Sequence, residues 1–236
     1  MSGQMEGKVV VISGATGMLG PAVARVFAEA GASLALCSRR QSLLEELAAQ
    51  LGVPESRVML SAVDLHSELQ TRQWASDVQR QFGRVDAVFH LVGGWRGGSR
   101  IEDFPTQDWE WLQQVLVQTT WHMIRAFAPL LQAFGGRFVL VSSPQAQSPS
   151  YTNAAYAAGK AAAEALTLAL ADQLRGTGAT ANIISVPGIA PFQPKPPESP
   201  PETQSLIGAE AIARTMLYLC SPSAAHLSGQ RIHLGT

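Results

Sequence analysis

Seven short β-rich apolar runs alternate with longer helical patterns along almost the whole of this 236-residue chain. The strand-like runs span 8–13, 33–37, 57–63, 86–91, 137–141, 180–186 and 231–234. Between them, 18–30, 41–51, 67–82, 106–134, 153–175 and 209–219 carry helical periodicity, and several of these stretches end at a glycine suited to a helix C-cap. Strands joined through helices run parallel, and a parallel sheet needs both faces covered. With right-handed crossovers, the expected fold is an α/β, doubly wound, seven-stranded Rossmann-type sheet with helices on both faces. No internal repeat or linker divides the chain, so one domain over 1–236 is expected. The compositional break is the proline-rich stretch 187–207, which cannot continue a helix or a central strand. It follows a strand's carboxyl end and so is expected to be a loop over the ligand crevice.

A net charge of −1 without a basic run gives no electrostatic reason to expect nucleic acid or an anionic membrane as partner. No apolar stretch reaches about 18 residues, and the N-terminal residues lack the basic and apolar regions of a signal peptide. The expectation is a cytoplasmic protein acting on a small molecule. Cys37 and Cys220 sit far apart in apolar runs, and no His/Cys cluster has ligand spacing, so neither a disulfide nor a metal site is indicated.

The first strand runs into Gly14-Ala15-Thr16-Gly17-Met18-Leu19-Gly20 and then a helix. Glycines at such a junction let the backbone turn tightly and let a pyrophosphate approach, while the helix start offers free N–H groups. A dinucleotide is therefore expected. Its identity depends on the end of the second strand, where a 2′-hydroxyl selector would be acidic. This chain has Ser38-Arg39-Arg40 there, and a guanidinium pairs with a 2′-phosphate. NADP(H) is expected over NAD(H), although two arginines also suit a solvated helix start. Asp64, ending the third strand, suits an adenine amino group or a helix cap.

Tyr156 and Lys160 are four residues apart, hence on one helix face, and Ser143 lies thirteen residues before the tyrosine. A neighbouring ammonium is expected to lower the phenol's pKa, making Tyr156 a proton donor usable near neutral pH.

The glycine turn, Ser143, Tyr156, Lys160 and the strand-ending Pro187-Gly188 occur in an order and at distances that resemble the short-chain dehydrogenase/reductase family over nearly the whole chain. The 227–234 segment is similar to that family's last strand. The resemblance implies that Tyr156 is the general acid in reduction and the base in oxidation. It also implies that Lys160 tunes the tyrosine and holds the nicotinamide ribose, and that Ser143 binds the carbonyl oxygen. The implied cofactor lining is Gly14, Thr16, Gly17, Met18, Leu19 and Gly20 on the first turn, Ser38, Arg39 and Arg40 on the second, and Asp64 and Leu65 on the third. Leu91, Val92, Gly93, Tyr156, Lys160, Pro187, Gly188 and Ile189 complete it. Trp95, Ser143 and Gln145 are the expected substrate contacts, for a carbonyl or heteroaromatic compound, and a homodimer or homotetramer is implied.

Three departures stand out. The glycines are spaced Gly-x-x-Gly-x-x-Gly. The family's Asn-Asn-Ala-Gly reads His90-Leu91-Val92-Gly93, which removes amides that normally steady the sheet. Leu116 stands at the family's catalytic asparagine, so the proton relay is missing or runs elsewhere, through Gln118 or Thr119. The segment 93–98 resembles the Gly-Gly-Trp-x-Gly-Gly of quinonoid dihydropteridine reductases, although Trp95 also suits any pocket wall. The readings are thus an NADP(H)-dependent carbonyl reductase or alcohol dehydrogenase, a dihydropteridine-reductase-like enzyme, or a weakly active NADP-binding sensor or scaffold.

Overall fold

The computed structural model describes residues 3–190 and 206–235. Its main sheet has seven parallel strands in the order β3-β2-β1-β4-β5-β6-β9. These are β1 Val9–Ser13, β2 Ser33–Ser38, β3 Val58–Ala62, β4 Ala87–His90, β5 Arg137–Ser142, β6 Thr180–Ser185 and β9 Arg231–His233. Each lies within a residue or so of the run expected from the sequence. A second parallel pair, β7 Ile189–Ala190 with β8 Ile207–Gly208, brackets the proline-rich stretch. Most of that expected loop, 191–205, lies outside the described residues.

Helices α1 (Gly20–Glu29), α2 (Gln41–Leu51) and α7 (Ala209–Leu219) contribute to one core layer, in which the Phe27 and Phe89 rings lie 4.8 Å apart. Helices α3 (Glu68–Phe82), α5 (Thr119–Phe134) and α6 (Ala154–Gln173) contribute to the other, with Trp74 edge-on to Phe127 at 5.2 Å. Central strands are buried on consecutive positions because both faces are covered, as in all five residues of β1. Glycine C-caps stop α2, α3 and α5 at Gly52, Gly83 and Gly135. Among the described residues no helix is long and apolar enough to cross a membrane, and no group of three or more His, Cys, Asp or Glu side chains could hold a metal.

The stretch 106–134, expected as one α-helix, is broken in character. Helix α4 (Thr106–Leu112) passes into a π-helical segment, Gln113–Gln118, before α5 begins. Thr119 and Thr120 donate their hydroxyls to the carbonyls of Val115 (2.7 Å) and Leu116 (2.6 Å), satisfying backbone groups in the widened turn.

At the opposite end of the sheet, Asp86 ties the strand starts together. Its carboxylate accepts from the Val9 amide at 2.9 Å and from two Arg84 nitrogens at 2.7 and 2.6 Å, with Lys8 Nζ at 3.2 Å. Burial alone would push this carboxyl up; the bonds from Arg84, Val9 and Lys8 outweigh it and hold the group below the ordinary carboxylate range. A depressed folded-state pKa gives stability that is present above the unfolded value and lost as pH falls through the folded one. Asp86→Asn is therefore expected to cost about 2 kcal/mol near neutrality and less in acid. Urea denaturation at several pH values measures this, and a pH-independent deficit would contradict it.

Candidate active site

The strand order reverses between β1 and β4, so their carboxyl ends part and open a crevice at the sheet's switch point. After β1 the chain turns at Gly14, which takes a φ of 73°. A Cβ there would lie 3.2 Å from the backbone of both Leu91 and Val92, filling the gap between the turn and the end of β4. Gly20 opens α1 so close to the turn that a Cβ would overlap the Ala15 carbonyl and lie 2.7 Å from its Cα. The backbone thus forms a narrow cradle that side chains would close, which fits the passage of a dinucleotide's phosphates. Two cavities flank it, of about 270 and 410 Å³, and they share Gly14, Gly17, Leu91 and Gly93 as a common floor.

The first cavity collects Thr16, Ser38, Arg39, Arg40, Asp64, Leu65 and Val92. Thr16 donates to Ser38 Oγ at 2.8 Å, and the Arg40 amide donates to the same oxygen at 3.2 Å, fixing the end of β2 against the glycine turn. Both arginines are exposed, and among the described residues neither guanidinium is paired with a carboxylate. Asp64 lines the cavity but does not cap α3. Its Oδ1 accepts from the His66 amide at 3.1 Å, while Ser67 Oγ accepts from Gln70 and supplies the cap. Sequence reasoning missed Cys37, Val63, His66, Trp111 and Val115 on these walls, and named Thr119 only as a possible proton relay. Trp111 had one available sign, the glycines at 93–98: a Cβ on Gly94 would overlap the indole, so that glycine makes room for it.

The second cavity collects Met18, Leu19, Trp95, Ser143, Gln145, Tyr156, Lys160, Pro187, Gly188 and Ile189. Every residue expected to touch cofactor or substrate thus lines one cavity or the other, except Gly20, which is buried behind the turn. Ser143 stands just past the end of β5 and donates its hydroxyl to Gln145 Oε1. Tyr156 and Lys160 project from the first turns of α6, the ammonium 5.9 Å from the phenol ring centre.

One expectation needs correction: the lysine does not depress the phenol. Burial raises the Tyr156 pKa above its ordinary value, and the Ser143 hydroxyl beside it offsets this only in part. Lys160 Nζ instead donates to the Val141 carbonyl at 2.9 Å, and its own pKa is pushed down to about 8 by burial, against which the Glu164 charge acts. Helical spacing brings the two side chains to one face, but the carbonyl at the end of β5 decides where the amine points.

Leu116 is buried in the π-helical segment and packs against α6, where a Cβ on Gly159 would come 2.9 Å from its Cδ1. No amide occupies that position. Thr119, named from sequence as an alternative relay, is already committed to Val115 and to His90 Nε2 at 3.2 Å. The family's sheet-steadying amides are absent here, and an imidazole makes a bracing contact of its own. His90 Nδ1 shares a 2.7 Å hydrogen bond with Ser13 Oγ, so the imidazole itself braces β4 to β1 and to α5. Burial, and then the Lys160 charge, lower its pKa to about 3, so the brace stays uncharged.

Trp95 is 60% exposed and donates to Asn153 Oδ1 at 3.2 Å. Arg96 lies 4.2 Å over the Trp111 ring and pairs with Asp108, which locks the 93–98 loop to α4.

Comparison with known proteins places these features. Residues 8–194 match the short chain dehydrogenase family. An uncharacterized oxidoreductase of Staphylococcus epidermidis is 33% identical over 187 residues, covering 79% of each chain. The 7alpha-hydroxysteroid dehydrogenase of Escherichia coli is 26% identical over 237 residues, covering 96% of this chain and 92% of that one. Among solved structures, an NAD+-bound xylitol dehydrogenase superimposes with a TM-score of 0.87 at 22% identity, covering 98% of both chains, a likeness of fold. These relatives give no support to the local likeness of 93–98 to dihydropteridine reductases.

Proposed function

This chain belongs to the short chain dehydrogenase family and is an oxidoreductase of that family, and from that premise we propose that it transfers a hydride between NADP(H) and a small carbonyl or alcohol substrate. The observation that carries the reading is the convergence of Ser143, Tyr156 and Lys160 in a cavity whose floor continues beneath a dinucleotide-sized cradle. The hydroxysteroid dehydrogenase relative, and a 30% identical D-threitol dehydrogenase of Mycolicibacterium smegmatis, support chemistry at a CH–OH group.

When bound, the nicotinamide supplies or accepts the hydride. In reduction Tyr156 gives its proton to the substrate oxygen, and in oxidation it takes one from the alcohol. Ser143 donates to the same oxygen as negative charge builds there, so both hydroxyls bind the transition state more strongly than the ground state. Lys160 would hold the cofactor's ribose. The walls contributed by Met18, Leu19, Trp95 and Ile189 shape the substrate end, with Gln145 as its amide contact.

The NADP(H) preference rests on Arg39 and Arg40, two guanidinium groups beside Ser38 that have no carboxylate partner among the described residues. Fluorescence titration is expected to give NADPH a dissociation constant at least tenfold below that of NADH, with the advantage lost in Arg39→Ala/Arg40→Ala. Equal or tighter NADH binding would reverse the assignment. Assays of both cofactors against a panel of ketones, aldehydes and secondary alcohols test the reaction. Tight NADPH binding with no turnover across that panel would favour a sensor instead, a reading that Leu116 at the asparagine position keeps open.

A further inference from the structure

One buried acid is not used by the chemistry above. Glu164 is 1% exposed on α6, one helical turn beyond Lys160 and on the same face. Its Oε1 accepts from Ser142 Oγ at 2.6 Å, and its Oε2 accepts from Arg231 Nε on β9, also at 2.6 Å. Ser142 is the residue directly before Ser143. Arg231 is itself 36% exposed. A carboxylate in a dry site, held by one hydroxyl and one partly solvated guanidinium, is a costly way to fill space that an apolar side chain would fill as well.

We propose that Glu164 is a positioning residue whose negative charge keeps Lys160 cationic, and that Arg231 limits how much of that charge the lysine feels. Its consequence for turnover rests on the role given to Lys160 above, whereas the charge coupling itself does not. The surroundings of Lys160 leave few other candidates for this part. His90 on β4 is uncharged, Tyr156 on α6 carries a raised pKa, and Val141 of β5 offers a carbonyl. Leu116 of the π-helical segment is apolar, and Thr119 and Thr120 of α5 present hydroxyls. On the strands beside Ser142, β6 carries Ser185 in register with it, and β9 carries Arg231, which bonds Glu164, and the exposed His233 in register with Ser185. Burial drives Lys160 towards its neutral form, and Glu164 is the charge opposing that drift.

The sequence has three lysines, Lys8, Lys160 and Lys195, so carbon-13 labelling of lysine Cε gives a spectrum that can be assigned with Lys160→Arg. In Glu164→Gln the titration midpoint of Lys160 is expected to fall by on the order of one pH unit, and in Arg231→Gln to rise. Glu164→Asp is expected to keep most of the wild-type value. The basic limb of kcat/KM is expected to move in the same directions, which a purely structural role would not produce. An unmoved Lys160 midpoint in folded Glu164→Gln overturns the proposal. If that variant does not fold, a midpoint that fails to rise in Arg231→Gln overturns it from the other side. Absence of turnover in the wild type would reject the hydride-transfer reading alone, because the magnetic resonance titration needs no substrate.

Discussion

Tyr156→Phe is expected to lower kcat by about 10³-fold or more while leaving fold and cofactor affinity near wild type. The change removes one oxygen. In the structure that oxygen stands beside Ser143, while the ring packs with Leu116, Val115 and Ala155, contacts that phenylalanine keeps. The midpoint of thermal unfolding should therefore shift little, and NADPH titration should give a similar dissociation constant. Full proton transfer to the developing alkoxide has no replacement nearby, because the Ser143 hydroxyl donates a hydrogen bond without giving up its proton and Lys160 Nζ is drawn to the Val141 carbonyl at 2.9 Å. Single-turnover measurement of NADPH oxidation separates the chemical step from binding. A phenylalanine variant that retains a tenth of wild-type kcat would remove Tyr156 from the chemistry. The raised phenol pKa adds a second check, since the acid form should persist across neutral pH and the group should be ready to donate rather than accept there.

Gly20→Ala is expected to fail differently, losing stability and cofactor affinity together. The new methyl would overlap the Ala15 carbonyl, and the group it strikes is backbone, not the flexible end of a side chain. The turn between β1 and α1 must open, at a cost of about 3 kcal/mol or more. Opening it also spoils the cradle, because Ala15 donates its amide to the Cys37 carbonyl at 3.0 Å and so links the turn to β2. Guanidinium denaturation together with NADPH titration reads both losses. A variant with wild-type stability would show that the turn yields more easily than its contacts imply.

Much of the fold could be read in the sequence because parallel strands buried on both faces must be apolar over consecutive positions, and glycine punctuates several of the helices. The glycine turn and the Ser143, Tyr156 and Lys160 set were legible for a related reason: local spacing fixes which side chains share a helix face or follow a strand. Features that depend on which element lies across the way were not. The π-helical segment at 113–118 leaves no mark in a periodicity that still reads as helix. Trp111 reaches the cavity wall shared with Arg39 and Asp64 only because Gly94 gives way to it. The lysine's aim is set by the Val141 carbonyl, and the bracing by His90 needs Ser13 and Thr119 from two other elements. Arg231, some 67 residues from Glu164, meets it only once β9 docks beside β6.

The exposed Arg39 and Arg40 guanidinium groups just past β2, on which the proposed NADP(H) preference rests, bear on kinetics as well. With a chain close to electroneutral overall, they place two positive charges against the single Asp64 on the rim of one cavity, and are expected to draw polyanions inward before any contact is made. Such attraction reaches only about 8 Å at physiological ionic strength, so added salt slows the arrival of a phosphate-bearing ligand while leaving that of an uncharged one unchanged.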